Sequence, residues 1–158
     1  MSKTMRNSAV VLILLMILSL SACSLFEKKE PIDGDDFSEF MEDEDFIVED
    51  VTNQFADGMG VSEVLVAVND DFQIEFYIVE TEEQARRAYS ENKEFFEDSF
   101  SGSGSSNSEI NLGNHSKYTL TSSGHYCVVS RIDNTFIYAN VDSDYKEDVQ
   151  KLIKELGY

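Results

Sequence analysis

Residues 125–142, HYCVVSRIDNTFIYANVD, decide the fold. Two runs rich in β-branched and aromatic residues flank Asp133-Asn134, a pair suited to a two-residue hairpin turn. Folding about that pair sets Ile132 opposite Thr135, Ser130 opposite Ile137, Val128 opposite Ala139 and Tyr126 opposite Val141. Side chains alternate between the two faces of a strand, so this first set makes an apolar face that belongs to a core. The other face pairs Arg131 with Phe136, Val129 with Tyr138 and Cys127 with Asn140. An arginine among aromatics is a common recognition surface, and Arg131, Phe136 and Tyr138 are therefore the candidate binding residues. The plainer reading is that another layer covers this face, or that Arg131 lays its stem on Phe136.

Working outward, Lys117 to Ser122 reads as a strand joined to the hairpin by Ser123-Gly124. After the hairpin, Asp142 or Ser143 caps a helix whose buried stripe is Tyr145, Val149, Leu152, Ile153 and Leu156, and Gly157 stops it. In the first half, Phe72, Ile74, Phe76 and Ile78 alternate with Gln73, Glu75, Tyr77 and Val79. A loop of Asn69-Asp70-Asp71 pairs Val68 with Phe72, Val66 with Ile74 and Val64 with Phe76, the register that best segregates apolar side chains. A strand at 46–51 precedes this hairpin, with a turn at Asp57-Gly58-Met59-Gly60 between. Asp36 with Glu39 marks the start of a short helix. Thr81 with Gln84 forms a capping box for a longer one, whose face carries Ala85, Ala88, Tyr89, Asn92, Phe95 and Phe96 and which ends near Ser99. The run SGSGSSNS at 101–108 is flexible by composition, within a connection over 99–114.

The expected fold is thus α+β: a mainly antiparallel sheet of about six strands with helices packed on one face, in the order α-βββ-α-βββ-α. It occupies 36–158 as a single domain, a length that buries a core without staples. The two halves share an element order, but their residue identity is too poor to support a duplication.

The N-terminal stretch is of another kind. Lys3 and Arg6 precede an apolar run from Ala9 to Leu20, which closes on Leu20-Ser21-Ala22-Cys23. Twelve helical residues cover about 18 Å, short of the roughly 30 Å core of a bilayer, so the run suits a signal peptide better than a membrane span. Those four residues match a lipobox, and residues 1–23 resemble bacterial lipoprotein signal peptides. The resemblance implies cleavage after Ala22, a diacylglyceryl (palmitate-type) lipid on Cys23 and a place on the extracytoplasmic face of the cell membrane, and the polar, acidic stretch over 23–35 reads as the tether that follows. Two acyl chains anchor stably where one binds only marginally. An uncleaved apolar anchor with an incidental cysteine is the alternative. The stretch from Tyr126 to Tyr158, with Ser130-Arg131-Ile132-Asp133-Asn134-Thr135 and the ending Lys154-Glu155-Leu156-Gly157-Tyr158, resembles the tail of small uncharacterised lipoproteins of Gram-positive bacteria, and implies no activity.

Charge and composition exclude several functions. The net charge is −19, and the loss of Lys3 and Arg6 with the signal takes it to −21. That balance argues against nucleic acid, whose phosphates need a basic surface, and against electrostatic docking on anionic lipid. With Cys23 lipidated, Cys127 has no intramolecular partner and the domain stands on packing alone. No Gly-x-Ser-x-Gly elbow accompanies His115 or His125, and Cys127 and His125 share a strand face without a third orienting group. Asp33-Gly34-Asp35-Asp36 lacks the twelve-residue spacing of an EF-hand, and two histidines with one thiol give no zinc pattern. Glu42-Asp43-Glu44-Asp45 reads as a solvated acidic run before a weak Ca²⁺ site. No catalytic residue, metal or cofactor is therefore expected. The expected role is non-enzymatic binding of a protein, peptide or envelope component, with an accessory or structural role beside a membrane partner as the alternative.

Overall fold

A computed structural model describes residues 28–55, 60–122 and 124–158. The signal run, the lipobox and Cys23 lie outside the described residues, as do the first three positions of the Asp57-Gly58-Met59-Gly60 turn.

The described residues form a seven-stranded antiparallel sheet and three α-helices, an α+β fold. In chain order the elements are α1 (Gly34–Asp43), β1 (Ile47–Asp50), β2 (Val61–Val68), β3 (Gln73–Val79), α2 (Glu82–Phe100), β4 (Ser106–Leu112), β5 (His115–Ser122), β6 (His125–Ile132), β7 (Thr135–Asp142) and α3 (Lys146–Glu155). The sheet runs β1-β2-β3-β7-β6-β5-β4. Two meanders, β1 to β3 and β4 to β7, therefore join along β3 and β7. Chain leaving β3 must reach the far edge at β4, four strand spacings or about 19 Å away. The nineteen residues of α2, about 28 Å of helix, lie across the sheet and make that crossing.

The β6–β7 register is the one the Asp133-Asn134 turn dictates, with Ile132 opposite Thr135 and Arg131 opposite Phe136. Asp133 takes the left-handed conformation (φ 48°) that such a turn requires. The β2–β3 pair differs from expectation by one residue. Asn69 Oδ1 accepts from the amides of Asp71 and Phe72 at 2.9 Å, and the Asn69 amide donates to the Phe72 carbonyl. Phe72 is thereby drawn into a four-residue turn, and Ala67 pairs with Ile74 and Leu65 with Phe76. The expectation failed because it assumed that only one face of this hairpin is apolar.

Both faces are in fact covered, so the expected placing of helices on one side is corrected. On one face Phe37 and Met41 of α1, with Val149, Leu152 and Ile153 of α3, pack on Ile74, Phe76, Tyr126, Val128, Ile137 and Ala139. On the other, Ala85, Tyr89 and Phe96 of α2 pack on Tyr118, Leu120, Cys127, Val129 and Phe136. Strand β6 is buried at every position from Tyr126 to Ile132, the pattern of a strand sandwiched between two layers. A second correction concerns 99–114, expected as a flexible connection. Ser106–Leu112 pairs along its length with β5, from Ser106 opposite Thr121 to Leu112 opposite His115, and gives the sheet its seventh strand. Every residue of β4 is exposed, so pairing and not burial holds it.

The chain around Lys29 is held against the domain. The Lys29 amide donates to Asn114 Oδ1 at 3.1 Å, Asn114 Nδ2 donates back to the Lys29 carbonyl at 2.7 Å, and Lys28 pairs with Asp133 at 3.2 Å. The described chain therefore begins at the end of the sheet formed by the β4–β5 and β6–β7 turns.

Candidate binding recess

Helix α2 sets the site. Thr81 Oγ1 accepts from the Gln84 amide while Gln84 Oε1 accepts from the Thr81 amide, the capping box expected from the sequence. It fixes Glu82 at the first helical position and Arg86 one turn on, and Glu82 Oε1 binds Arg86 Nη2 at 2.5 Å. Arg131 of β6 lies beneath, flanked by Ser116 of β5 and Phe136 of β7. Only 3% of its surface is exposed. Its Nη1 donates to the Asp133 carbonyl at 3.0 Å and its Nη2 to Ser116 Oγ at 3.3 Å. Its Nε is buried and has no hydrogen-bond partner among the described residues. The carboxylate within ion-pair reach is that of Glu82, at 3.6 Å. Burial lowers the guanidinium's pKa, and the neighbouring charge of Arg86 lowers it further.

Above Arg131 opens a recess of about 440 Å³. Arg86, Tyr89 and Ser90 of α2 form one wall, Glu109 and Asn111 of β4 with Gly113 the other, and Ser116 and Arg131 the floor. Glu109 is tied down by Lys93 Nζ at 2.6 Å, by the Tyr89 hydroxyl at 3.1 Å and by Asn111 Nδ2 at 3.1 Å. The Lys93 bond leads in holding its carboxyl below the usual range. The edge strand thus completes the recess through Glu109, and α2 clamps it in place.

A second opening, of about 310 Å³, lies on the other side of α2 and is lined by Glu75, Tyr77, Asn92, Phe136 and Tyr138. Tyr77 stacks on Phe136 with centroids 4.5 Å apart, and Phe96 stacks on Tyr138 at 5.3 Å. The candidate trio therefore shares one face, as its register requires, but α2 divides it. Arg131 belongs to the first opening, Phe136 and Tyr138 to the second, and the guanidinium's partners are polar groups.

The candidate chemical groups are sealed or engaged. Cys127 is buried, its Sγ donates weakly to Asn140 Oδ1 at 3.5 Å, and burial pushes its thiol up to about 12, far from the thiolate a nucleophile needs. His125 lies against the Phe100 ring. His115 Nε2 sits 3.2 Å from Ser130 Oγ, a pair the sequence reading did not find, but Ser130 is fully buried and no substrate reaches it. Glu44 of the acidic run pairs with Lys151. Among the described residues no group of three His, Cys, Asp or Glu side chains converges as metal ligands would.

Several recess residues were within reach of sequence reasoning. The antiparallel pairing of Ser122 with His125 carries Ser116 opposite Arg131, and Glu82 and Arg86 stand at helical i, i+4 spacing. Glu109 and Asn111 were not, because a run of serine and asparagine gives no strand signal.

No family model matches the chain, and no curated protein matches it. Among solved structures it is similar to the crystal structure of a GTP binding regulator from Thermotoga maritima, with 17% identity, 80% of this chain and 89% of that one covered, and a TM-score of 0.47. A likeness that slight carries no argument about what this chain binds.

Proposed function

We propose that the chain is a lipid-anchored, extracytoplasmic binding domain that performs no chemistry of its own and recognises a protein, peptide or envelope component at the Arg131 recess. One observation carries the reading: a guanidinium is held 97% out of solvent at the floor of an open recess, with one shared carboxylate at 3.6 Å. Buried charges are costly unless paired, so a guanidinium with an unsatisfied Nε at a recess gains by pairing with an incoming anion.

The anchor gives the recess an orientation. Cys23 and Lys28 are five residues apart, at most about 18 Å of extended chain. Lys28 and Lys29 are held by Asp133 and Asn114, in the turns beside Gly113 and Arg131. Lipid at Cys23 would thus keep that end of the sheet, and the recess with it, close to the bilayer. This favours a ligand presented near the membrane, and within this reading it also supports the accessory role beside a membrane partner.

The anchor is tested with Cys23→Ala and metabolic labelling with radioactive palmitate. The variant is expected to fold as the wild type does and to lose the label. A wild type that takes up no label, or a variant that keeps it, would contradict lipid anchoring at Cys23 and favour an uncleaved apolar segment.

A further inference from the structure

We infer that the recess recognises a carboxylate, either that of a small organic acid or the free C-terminus of a peptide, through the guanidinium of Arg131. The inference rests on the binding-domain reading and adds the ligand's chemical class.

The charge balance in the recess comes first. Arg131 and Arg86 share the single carboxylate of Glu82, which lies closer to Arg86 (2.5 Å) than to Arg131 (3.6 Å) and is itself 43% exposed. Two guanidiniums against one part-exposed carboxylate, with the nearby Asp133 carboxylate paired to Lys28, leave a net positive charge in a chain of net charge −19. The other acid of the walls, Glu109, is already neutralised by Lys93. A monoanion entering the recess therefore meets an excess of positive charge where the rest of the molecule repels it.

Geometry narrows the ligand. Nε and Nη2 form one edge of a guanidinium, the fork that matches the two oxygens of a carboxylate. On Arg131, Nε has no partner among the described residues, and Nη2 has only the long bond to Ser116 Oγ at 3.3 Å. That edge, buried at the recess floor, is the one left short of partners, and a carboxylate engages it by displacing the Ser116 hydroxyl. Of the neutral groups nearby, the Tyr89 hydroxyl and one Asn111 Nδ2 proton are held by Glu109 and the Ser90 hydroxyl by the Arg86 carbonyl, while the Ser116 hydroxyl accepts from Arg131 and keeps its own proton for a ligand. A phosphate dianion carries more charge than the single net positive charge of the recess balances. A volume of about 440 Å³ holds one or two residues beyond the carboxylate.

The test is a titration of residues 24–158 in the wild type and in Glu82→Gln, followed by amide chemical shifts at Ser90, Gly113 and Ser116. The probes are N-acetyl-alanyl-alanine, the same dipeptide as its amide, acetate and inorganic phosphate. The expected result is saturable binding of the free acid with the amide at least about tenfold weaker. Glu82→Gln removes the competing carboxylate without touching the core, and is expected to tighten the free acid by about tenfold, a gain that loss of a merely structural ion pair would not produce. Arg131→Lys, which keeps the charge and loses the fork, is expected to weaken it by a similar factor. Acetate binding as tightly as the dipeptide points to a small acid, and tighter dipeptide binding to a peptide terminus. Equal binding of acid and amide, tighter binding of phosphate, or no change in Glu82→Gln overturns the inference. These outcomes are separable from failure of the binding-domain reading, which is decided on intact cells by capture from the recess with no assumption about carboxylates.

Discussion

His115 ties the stability of the domain to pH in a way that can be worked through. Its ring is 6% exposed on β5, opposite Leu112 and Ile132, and touches Ser130 Oγ. Burial, with the charges of Lys29, Lys117 and Arg131, lowers its pKa from the ordinary 6.5 to about 4. The folded state therefore holds His115 neutral where an unfolded chain would protonate it. Between pH 6.5 and about 4 the unfolded state binds more protons, so stability falls as pH falls. The contribution is complete above pH 6.5 and gone below about 4. A shift of that size corresponds to about 3 kcal/mol, most of it lost by pH 4.5. Carboxylates shift with both signs: burial and then Asp50, Asp35 and Asp33 raise Glu63, while Lys93 leads in lowering Glu109. The histidine is isolated by comparison with His115→Gln. Urea unfolding of both proteins from pH 7.5 to 4.5 should show the stability difference, wild type minus variant, falling by about 2–3 kcal/mol as the pH drops. A difference that stays level across that range would refute the burial argument for His115.

Two further outcomes follow from single contacts. Thr81→Ala removes the capping box that begins α2 and should cost about 1 kcal/mol in urea unfolding, with Thr81→Ser restoring most of it; an unchanged midpoint would remove the cap from the account of how Glu82 is placed. Cys127, buried and with its thiol at about 12, should resist iodoacetamide at pH 8 in the folded protein and react fully in urea, and rapid labelling without denaturant would contradict the covering of that face by α2.

The parts of the fold legible in the sequence were those where local chemistry and burial agree. Asp133-Asn134 has two-residue turn chemistry and apolar pairs on the core side, so the β6–β7 register, and with it the shared face of Arg131, Phe136 and Tyr138, could be read directly. At Asn69 the two signals conflicted. Apolar alternation favoured a shorter loop, but the Asn69 side chain bonds to the Asp71 and Phe72 amides and makes a longer turn, and the slip sets Leu65 on Phe76 and Ala67 on Ile74 while Val66 and Val68 come to face Glu75 and Gln73. The continuous apolar run Cys127-Val128-Val129 was the available sign of a second covering layer. Strand β4 left no such sign, since Ser106, Asn107 and Ser108 are held by pairing to β5. The recess shares that opacity, because its far wall is β4. Contacts such as Lys29 with Asn114, 85 residues apart, are set by the assembled fold and have no local signature.

The central claim is that an anchored domain meets its partner at the Arg131 recess, and site-resolved photocrosslinking on intact cells tests it most directly. A benzophenone amino acid at Ser90, on the exposed rim of the recess, is compared with one at Ile47, exposed on β1 at the opposite edge of the sheet. The account predicts a discrete crosslinked species from Ser90 that is absent from Ile47 and is lost when Arg131→Gln is added to the Ser90 probe. Crosslinks from Ile47 alone, or a Ser90 crosslink indifferent to Arg131, would contradict it.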